Sequence, residues 1–336
     1  MRIRATSDLH LTQATAPYVF AALEQLRKDA SKYGGVTVVC GDVFEQGVSA
    51  NMPLWNRLRD LLFSWPGPIV LVPGNHDQYD EYRNALEGLH GGSSIVVSHP
   101  TPQLRIPRFG TIGGAIPYTH DFDSVFQYVL KDRSGVAPKL VFCHHGFKGA
   151  YLNDMYKCRR GGSVRSIPAD TLVVSGHYHM PQVLGRVVYC GSPYQLTFSE
   201  EGQDKGWLLW KDASKSLIPI RKPFKGLGAP RHVTIHWDIG DGAPVKPDWL
   251  EDRDKVRVIV SASRADVPNM SATLEKAGII APVMYRPIST PTARSIDDFS
   301  GDVLGAVVSY MERNAAAAPT DMHAFAQREE LWQDLS

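Results

Sequence analysis

The first 195 residues repeat one pattern, in which a short apolar run is followed at once by Gly, Asp, Asn or His. Continuous apolar runs are typical of strands buried on both faces, and such strands need helices to cover the sheet. The four clearest runs are residues 36–40, 68–72, 140–143 and 171–174. Helices are predicted over residues 17–33, which begin with Pro and stop at Gly34-Gly35, and over residues 54–63.

The pattern changes near Leu217. Residues 218–230 are rich in Pro, Gly and basic side chains, which indicates a linker. Beyond it, residues 232–239 alternate polar and apolar positions, as a half-exposed strand does. A β-α-β unit is then predicted over residues 255–260, 268–277 and 283–285. We therefore expect four parts: a first domain over 1–217, a linker over 218–230, a small α/β domain over 231–295 and a helical tail over 296–336.

Metal-ligating side chains cluster at the ends of the apolar runs. Asp8 and His10 are two positions apart, so in an extended segment they project to the same side, and His177 and His179 repeat this spacing. Ligands of an α/β sheet bind beyond the carboxyl ends of its strands, so these residues are expected to converge. A bridging carboxylate would hold two divalent cations about 3.5–4 Å apart. The candidate set is Asp8, His10, Asp42, Asn75, His76, His144, His145, His177 and His179.

The donor atoms in this set are nitrogen and oxygen, without a thiolate. Such a set favours manganese, iron or zinc over an iron–sulfur cluster. His76 is a candidate general acid, because imidazole titrates near neutral pH. A single histidine is more often a core or surface residue than a ligand. The metal site is therefore predicted from the ordered series of motifs, each of which follows a β run.

The order and spacing of five motifs resemble the calcineurin-like metallophosphoesterase superfamily: Asp8-Leu-His10, Gly41-Asp42, Gly74-Asn-His-Asp77, His144 and Gly176-His-Tyr-His179. Two further stretches are similar to SbcD-type DNA repair nucleases, namely Gly41-Asp-Val-Phe-Glu45 and Gly191-Ser-Pro-Tyr-Gln-Leu-Thr-Phe-Ser-Glu200 with Lys205-Gly206. The resemblance covers about the first 215 residues. It implies an α/β fold, a β-sandwich flanked by helices, with the small α/β domain as a cap over DNA.

The resemblance also implies a role for each site residue. One cation would be held by Asp8, His10, Asp42 and His179, and the second by Asp42, Asn75, His144 and His177, with Asp42 shared. Manganese is the metal expected at both positions. His76 would protonate the leaving oxygen, while Asp77 and His145 are expected behind the ligands. Of the adjacent pair, His144 aligns with the family's ligand histidine and His145 does not.

The net charge of +1, from 36 Lys+Arg and 35 Asp+Glu in 336 residues, conceals an uneven distribution. Residues 297–336 carry a net charge of −6 and residues 1–296 a net charge of +7. Basic residues follow His144, with aromatic residues between them, and predict a DNA-binding loop, although a solvated basic loop stays an alternative. They are Lys148, Lys157, Arg159, Arg160 and Arg165. The basic surface is predicted to extend over Lys205, Lys211, Lys215, Arg221, Lys222 and Lys225.

The acidic tail contains an apolar helical stripe: Val303, Leu304, Val307, Val308 and Met311. Such a stripe usually packs on its own protein. The resemblance adds another partner, because SbcD-type nucleases use C-terminal helices to bind an SMC-like SbcC-type ATPase. A homodimer is also expected.

Three functions follow from these patterns. The preferred one is a manganese-dependent DNA nuclease, a 3′–5′ exonuclease with endonuclease activity, which acts with an SbcC-type ATPase on duplex ends and on single strands in repair and recombination. The alternatives are a stand-alone phosphoesterase acting on nucleotides or phosphoproteins, and a DNA-binding scaffold without catalysis. Four scattered cysteines and the lack of a ~20-residue apolar run favour a cytoplasmic protein, in a bacterium or a phage-infected bacterial cell, without disulfides or membrane spans.

Overall fold

A computed structural model describes residues 1–46, 51–80, 83–131, 137–152, 156–262 and 269–287. Its α-helices are Ala16–Tyr33 (α1), Met52–Phe63 (α2), Phe122–Leu130 (α3) and Met270–Lys276 (α4). Its strands, in chain order, are Ile3–Thr6 (β1), Val36–Cys40 (β2), Ile69–Val72 (β3), Ser94–Val96 (β4), Thr101–Ile106 (β5), Gly110–Ile116 (β6), Leu140–His144 (β7), Leu172–Gly176 (β8), Val183–Leu184 (β9), Val187–Tyr189 (β10), Gly206–Trp210 (β11), Ile220–Pro223 (β12), His232–Asp238 (β13), Lys255–Ala262 (β14) and Val283–Pro287 (β15).

Two six-stranded mixed sheets form the main body. The first has the order β12-β11-β1-β2-β3-β4, in which β1 to β4 are parallel, β11 is antiparallel to β1, and β12 is antiparallel to β11. The second has the order β5-β6-β7-β8-β10-β9, in which β6, β7, β8 and β10 are parallel. Parallel strands β1, β2, β3, β7 and β8 therefore carry all the predicted ligand motifs at their carboxyl ends.

The side chains of each strand alternate between two apolar cores. Val38 and Val70 of the first sheet pack with Phe142 and Val174 of the second, so the two sheets share one inner core. The outer face of the first sheet packs against α1 and α2, and that of the second against α3. This helix–sheet–sheet–helix layering confirms the predicted α/β sandwich flanked by helices.

The two predicted helices of the first sheet begin slightly earlier than expected and end where predicted. Helix α1 begins at Ala16, ahead of Pro17, and stops at Gly34, whose φ of 63° favours glycine. Helix α2 begins at Met52, because the side chain of Asn51 accepts a hydrogen bond from the backbone N–H of Leu54. Capping by Asn51, which the apolar periodicity does not report, sets the start of α2.

A separate three-stranded sheet follows the main body in the chain, in the order β13-β14-β15. Strands β13 and β14 are parallel, and helix α4 packs Met270 and Leu274 against Trp237 and Val258. The predicted β-α-β unit is thus present, with β13 added as a parallel neighbour. The division of the chain at residues 218–230 stays a prediction. The helical tail over 296–336, with its stripe Val303, Leu304, Val307, Val308 and Met311, lies outside the described residues.

Among the described helices, none combines the length and the apolar character that crossing a bilayer requires.

Candidate metal centre

The predicted ligands lie on the short segments that follow the parallel strands. Four of them have a left-handed backbone, with φ of 54° at Asp8, 48° at His10, 52° at Asp42 and 84° at His177. This conformation is unfavourable for residues with a Cβ and persists only where the surroundings hold it. Among the described non-glycine residues, only Arg108 shares it. Strained backbone is therefore concentrated at this edge of the sandwich.

Hydrogen bonds from one segment to the next hold the strained backbone in place. The amide of Asp8 donates to the carbonyl of Gly41 at 3.0 Å, and the amide of His10 donates to the carbonyl of Asp42 at 3.0 Å. Across the two sheets, the amide of His177 donates to Asp8 Oδ1 at 3.0 Å. The segments that follow β1, β2 and β8 therefore form one rigid unit.

Two glycines allow the segments to approach this closely. Gly41 has a φ of 84°, and a Cβ on it would collide with the ring of His144. A Cβ on Gly74 would collide with the carboxylate and the amide of Asp42. The glycines of the Gly-Asp and Gly-Asn-His-Asp motifs are thus required by contacts with ligands that lie on other strands.

The first group of ligands joins Asp8, His10 and His179, whose donor atoms lie within 4.8 Å of one another. The Nε2 atoms of the two histidines are 3.1 Å apart. On the far side of each ring, His10 Nδ1 lies 2.7 Å from Glu45 Oε2 and His179 Nδ1 lies 3.0 Å from Glu200 Oε1. Each imidazole is therefore oriented by a glutamate, with Nε2 directed into the site.

The second group joins Asp8, Asp42 and His144, whose donor atoms also lie within 4.8 Å of one another. His144 Nδ1 donates to the carbonyl of Cys40 at 2.7 Å, which leaves Nε2 directed at Asp42 Oδ2, 3.1 Å away. Asp42 Oδ2 is also 3.9 Å from His10 Nε2, so this carboxylate lies between the two groups. Beside them, His177 Nδ1 is 3.0 Å from Asn75 Oδ1.

The electrostatics of the second group favour a cation. Burial lowers the pKa of His144, but the negative charge of Asp42 outweighs burial and raises that pKa to about 9. Burial raises the pKa of Asp42, and His144 outweighs it and lowers that pKa well below the usual range. Burial and the charge of His144 lower the pKa of His177 to about 3, so His177 is neutral at pH 7 and able to act as a ligand.

Two observations show that the donor set fits bound metal ions. His144 Nε2 is buried and has no hydrogen-bond partner among the described residues. His10 and His179 each face an acceptor-only carboxylate with Nδ1, so the proton belongs on Nδ1 and the two Nε2 lone pairs point at each other across 3.1 Å. Two lone pairs at this distance repel unless a positive charge lies between them. The residues therefore fit a divalent cation at the first group and a second at Asp42 and His144.

His76 lies next to the first group, with its donor atoms within 4.8 Å of those of His10 and Glu45. Its ring centroid is 5.0 Å from that of His10, and its backbone amide donates to Asp42 Oδ1 at 2.9 Å. Its Nδ1 donates to the carbonyl of Glu45 at 2.6 Å, since a carbonyl only accepts. Nε2 is therefore left to exchange a proton with a bound molecule.

Asp77 and His145 lie behind the candidate ligands, where Asp77 accepts hydrogen bonds and His145 packs against an aromatic ring. The buried carboxylate of Asp77 accepts hydrogen bonds from the amides of Gly74 and Phe44, at 2.9 and 3.0 Å, and so joins two ligand segments. Burial and the charge of Asp42 raise the pKa of Asp77 to about 7. The ring of His145 stacks on Phe122 with centroids 3.8 Å apart, and burial lowers its pKa to about 3. His144, rather than His145, therefore lies in a group of side chains that could hold a metal ion.

Sequence reasoning assigned no role to Glu45 or Glu200, although both stand inside the SbcD-like motifs. The structure places each of them against Nδ1 of a ligand histidine. A buried Lys205, which donates to Glu200 Oε2 at 2.6 Å, completes the second contact. The signal was present in the stretch that ends at Ser199-Glu200 and in Lys205-Gly206, but only the folded chain connects these residues to His179.

The five basic residues predicted to bind DNA lie on or beside an ordered hairpin. The amide of Gly162 donates to the carbonyl of Gly146 at 3.0 Å, and the amide of Cys158 donates to the carbonyl of Ala150 at 2.7 Å. The structure describes residues 146–152 and 156–162 of this hairpin, which begins two positions after His144, so its base is at the metal centre. All five basic side chains are exposed, four of them on the hairpin and Arg165 just beyond it: Lys148, Lys157, Arg159, Arg160 and Arg165.

The predicted extension of the basic surface does not hold for four of its six residues. Lys205 is bonded to Glu200, and Arg221 donates to the carbonyls of Tyr189 and Cys190, so both stabilise the interior. Lys211 and Lys215 follow β11, whose last residue Trp210 pairs with Ile3 at the start of β1. They therefore lie at the end of the first sheet opposite to the ligands. The remaining two, Lys222 and Lys225, are exposed.

Comparisons with known proteins agree with this geometry. A family model described as calcineurin-like phosphoesterase matches residues 1–181. The chain is 24% identical over 301 residues to the SbcD subunit of nuclease SbcCD from Bacillus subtilis (strain 168), an alignment that covers 75% of this chain and 76% of that protein. It is 27% identical over 254 residues to the SbcD subunit of nuclease SbcCD from Escherichia coli (strain K12), with 61% of this chain and 63% of that protein covered.

Proposed function

Because the chain belongs to the calcineurin-like phosphoesterase family, in its SbcD-type branch, we propose that this metal-dependent phosphodiesterase is a DNA nuclease that uses two cations. The position of Asp42 carries the proposal. Its carboxylate lies between the two ligand groups, 3.1 Å from His144 Nε2 and 3.9 Å from His10 Nε2. A carboxylate shared in this way suits a pair of cations acting on one phosphodiester.

The family resemblance supplies the proposed residues of each position, and the contacts among Asp8, His10, Asp42, His144 and His179 support them. One cation would be held by Asp8, His10, Asp42 and His179, and the other by Asp42, Asn75, His144 and His177. Oxygen and imidazole donors suit manganese, iron or zinc, and the family resemblance makes manganese the proposed metal. When bound, two such ions would polarise the phosphoryl oxygens and lower the pKa of an attacking water.

His76 is the proposed general acid. With Nδ1 fixed on the carbonyl of Glu45, the proton available for transfer is the one on Nε2 of the imidazolium ring. The backbone of His76 is held by Asp42, so the ring keeps its place relative to the cations. Transfer from Nε2 to the leaving sugar oxygen would prevent release of an unstable alkoxide.

DNA as the substrate is supported by the hairpin of residues 146–162. Its exposed Lys148, Lys157 and Arg159 lie on a segment that begins two residues after His144, so they could contact the phosphate backbone of a bound DNA. Lys157 Nζ lies 4.6 Å from the centroid of the exposed Tyr151 ring, which adds a surface for stacking bases. Phosphates and bases could both be bound there, as nuclease substrates require.

The relatives are named as one subunit of a nuclease, SbcCD. We extend this to the present chain: a 3′–5′ exonuclease with endonuclease activity, working as a homodimer with an SMC-like SbcC-type ATPase in repair and recombination. The acidic residues 297–336, outside the described part, are the proposed docking segment. A chain without residues 297–336 should no longer co-purify with such an ATPase.

A paired assay tests the catalytic proposal. The full chain is incubated, with and without manganese, with end-labelled linear duplex DNA and with a small generic phosphodiester. We expect cleavage of DNA from its ends that requires manganese and that is lost in Asp8→Ala. Equal turnover of both substrates by the wild type, with no preference for DNA, would instead favour a stand-alone phosphoesterase. Full activity of Asp8→Ala would refute the site itself.

A further inference from the structure

Residues 195–201 contact the metal centre on one side and the three-stranded sheet on the other. On the metal side, Glu200 is only 3% exposed and accepts hydrogen bonds from His179, Lys205 and Ser192. Lys205 Nζ also donates to the backbone carbonyl of His179 at 2.8 Å. Glu200 and Lys205 thus hold His179 by its ring and by its backbone.

On the other side, the same segment anchors strand β13. Glu201 Oε1 accepts the backbone amide of Thr234 at 2.8 Å, and Glu201 Oε2 accepts its hydroxyl at 2.5 Å. Gln195 Oε1 accepts the amide of His232 at 2.7 Å. The ring of Phe198 packs edge-on to His232, with centroids 4.8 Å apart.

Two adjacent residues, Glu200 and Glu201, therefore contact the metal centre and the three-stranded sheet respectively. Glu200 and Glu201 flank a single peptide bond, one directed at a metal ligand and the other at β13. Glu200 terminates a 3-10 turn, Phe198–Glu200, in which the amide of Glu200 donates to the carbonyl of Thr197 at 3.1 Å. A turn this short cannot move one glutamate without moving the other.

We propose that Glu200 is a positioning residue for His179, and that Glu201 makes metal retention at the Asp8–His10–His179 group depend on the seating of the three-stranded sheet. The inference rests on the metal centre of the proposed function, and it concerns binding of metal rather than cleavage of DNA. Glu200 would fix the Nδ1–H tautomer of His179, so that Nε2 is free to coordinate. Glu201 would transmit a displacement of β13 to that ring.

The test is a titration of the metal-free full chain with cobalt(II), followed by visible absorption, which reports the ligands around the ion. We expect the wild type to bind two equivalents. In Glu200→Gln the affinity for one equivalent should fall by about ten-fold and its absorption bands should shift, because carboxylates behind a ligand histidine affect metal affinity on this scale. The second equivalent should be bound as in the wild type.

Glu200→Gln leaves the buried Lys205 without its carboxylate partner and could therefore destabilise the fold. A second variant distinguishes such a loss of stability from a specific effect on metal binding. Glu200→Gln combined with Lys205→Met removes both charges and keeps the side-chain lengths. This double variant should have a wild-type circular dichroism spectrum and the same loss of cobalt affinity. Wild-type affinity and bands in both variants would overturn the proposal.

The link to the three-stranded sheet has its own pair of variants. Glu201→Ala should weaken the same equivalent of cobalt by less than Glu200→Gln does. The matched control Glu251→Ala, an exposed acid that precedes β14 and pairs with Arg253, should bind cobalt as the wild type does. Unchanged affinity in Glu201→Ala would refute the link to the sheet. Since no DNA is present, a chain that meets these expectations but fails to cut DNA would refute the proposed function alone.

Discussion

The metal centre and the basic hairpin adjoin each other but are built in opposite ways. The candidate ligands Asp8, His10 and Asp42 are buried, and each has a hydrogen bond to a residue that follows another strand. The basic side chains of the hairpin are exposed, and backbone hydrogen bonds join its described parts, residues 146–152 and 156–162, to each other. One region has its charges fixed by the fold, whereas the other presents its charges to solvent.

This difference predicts different consequences of substitution. A buried carboxylate with several partners cannot be replaced without leaving those partners unsatisfied, so its loss should be severe and specific. An exposed cation contributes mainly through screened, additive attraction to phosphates, so its loss should be modest and dependent on salt. Four experiments, in order of decreasing expected effect, examine the comparison.

The largest effect is expected for Asp42→Ala. Without the carboxylate between the two groups, both cations should be lost, and cleavage of linear duplex DNA should fall to the level of a metal-free sample. Metal content by elemental analysis and cleavage rate are the measurements. Asp123→Ala, an exposed acid in the first turn of α3, is the control and should keep both metals and full activity. If Asp42→Ala kept both metals, the expectation that loss of a buried carboxylate of the metal centre has a severe effect would be wrong.

A smaller loss is expected for His76→Ala, because we propose that this side chain donates a proton and does not hold a cation. Removal of a general acid should lower kcat by about 10²–10⁴-fold. The metal content should stay at the wild-type level, which separates a catalytic role from a metal-binding role. The result to look for is a low turnover rate with a full complement of metal, and unaltered turnover would exclude His76 as the acid.

The third experiment concerns the pH dependence of stability. Burial raises the pKa of Glu200, but the hydrogen bond from His179 and the charge of Lys205 outweigh it and lower that pKa to about 2, from an ordinary value of 4.5. A lowered carboxylate pKa stabilises the fold above pH 4.5, and this contribution is lost as the pH falls from 4.5 to 2. Its size is about 3 kcal/mol.

In the metal-free protein, urea unfolding from pH 7 to pH 2 should therefore show a steeper loss of stability for the wild type than for Glu200→Gln. The two curves should diverge only below about pH 4.5. Parallel curves through that window would show that Glu200 is not held as an ion by the fold.

The smallest effect is expected in the hairpin. Replacing Arg159 and Arg160 by Gln should weaken DNA binding and lower the slope of log affinity against log salt by about 2, since each phosphate contact contributes about 0.9. Metal content and cleavage of a small phosphodiester should not change. Lys211→Gln with Lys215→Gln, at the opposite end of the first sheet, is the matched control. An equal fall in slope in both pairs would mean that the hairpin is not the DNA surface.

Much of the sandwich was predictable because each strand has a local signal in the sequence. Residues 36–40 are an apolar run followed by Gly41-Asp42, and the run coincides with β2. The same holds, to within two residues, for β3, β7 and β8. The predicted strand ends also carry the ligand motifs, so convergence of Asp8, Asp42 and His144 followed from the rule for parallel strands.

The contacts behind the ligands were not predictable from the same signals. Glu45 and Glu200 are ordinary acids in the sequence, and their contacts with His10 and His179 depend on how separate segments fold back on the site. The same is true of Lys205 and Arg221, which were expected on a basic surface and instead stabilise the interior. The charge pattern of a sequence shows how many basic side chains a segment has, but not which of them form hydrogen bonds or ion pairs inside the fold.

The sequence by itself determined which strands exist, where they end and which donor atoms stand at those ends, because apolar periodicity and turn residues act within a few positions. Only the tertiary structure decided that the two sheets present these ends to each other, with His144 of the second sheet 3.1 Å from Asp42 of the first. It also decided the left-handed backbone at four ligands, which no local propensity favours. Such features depend on packing between distant segments, and that packing stabilises conformations that each segment alone would avoid.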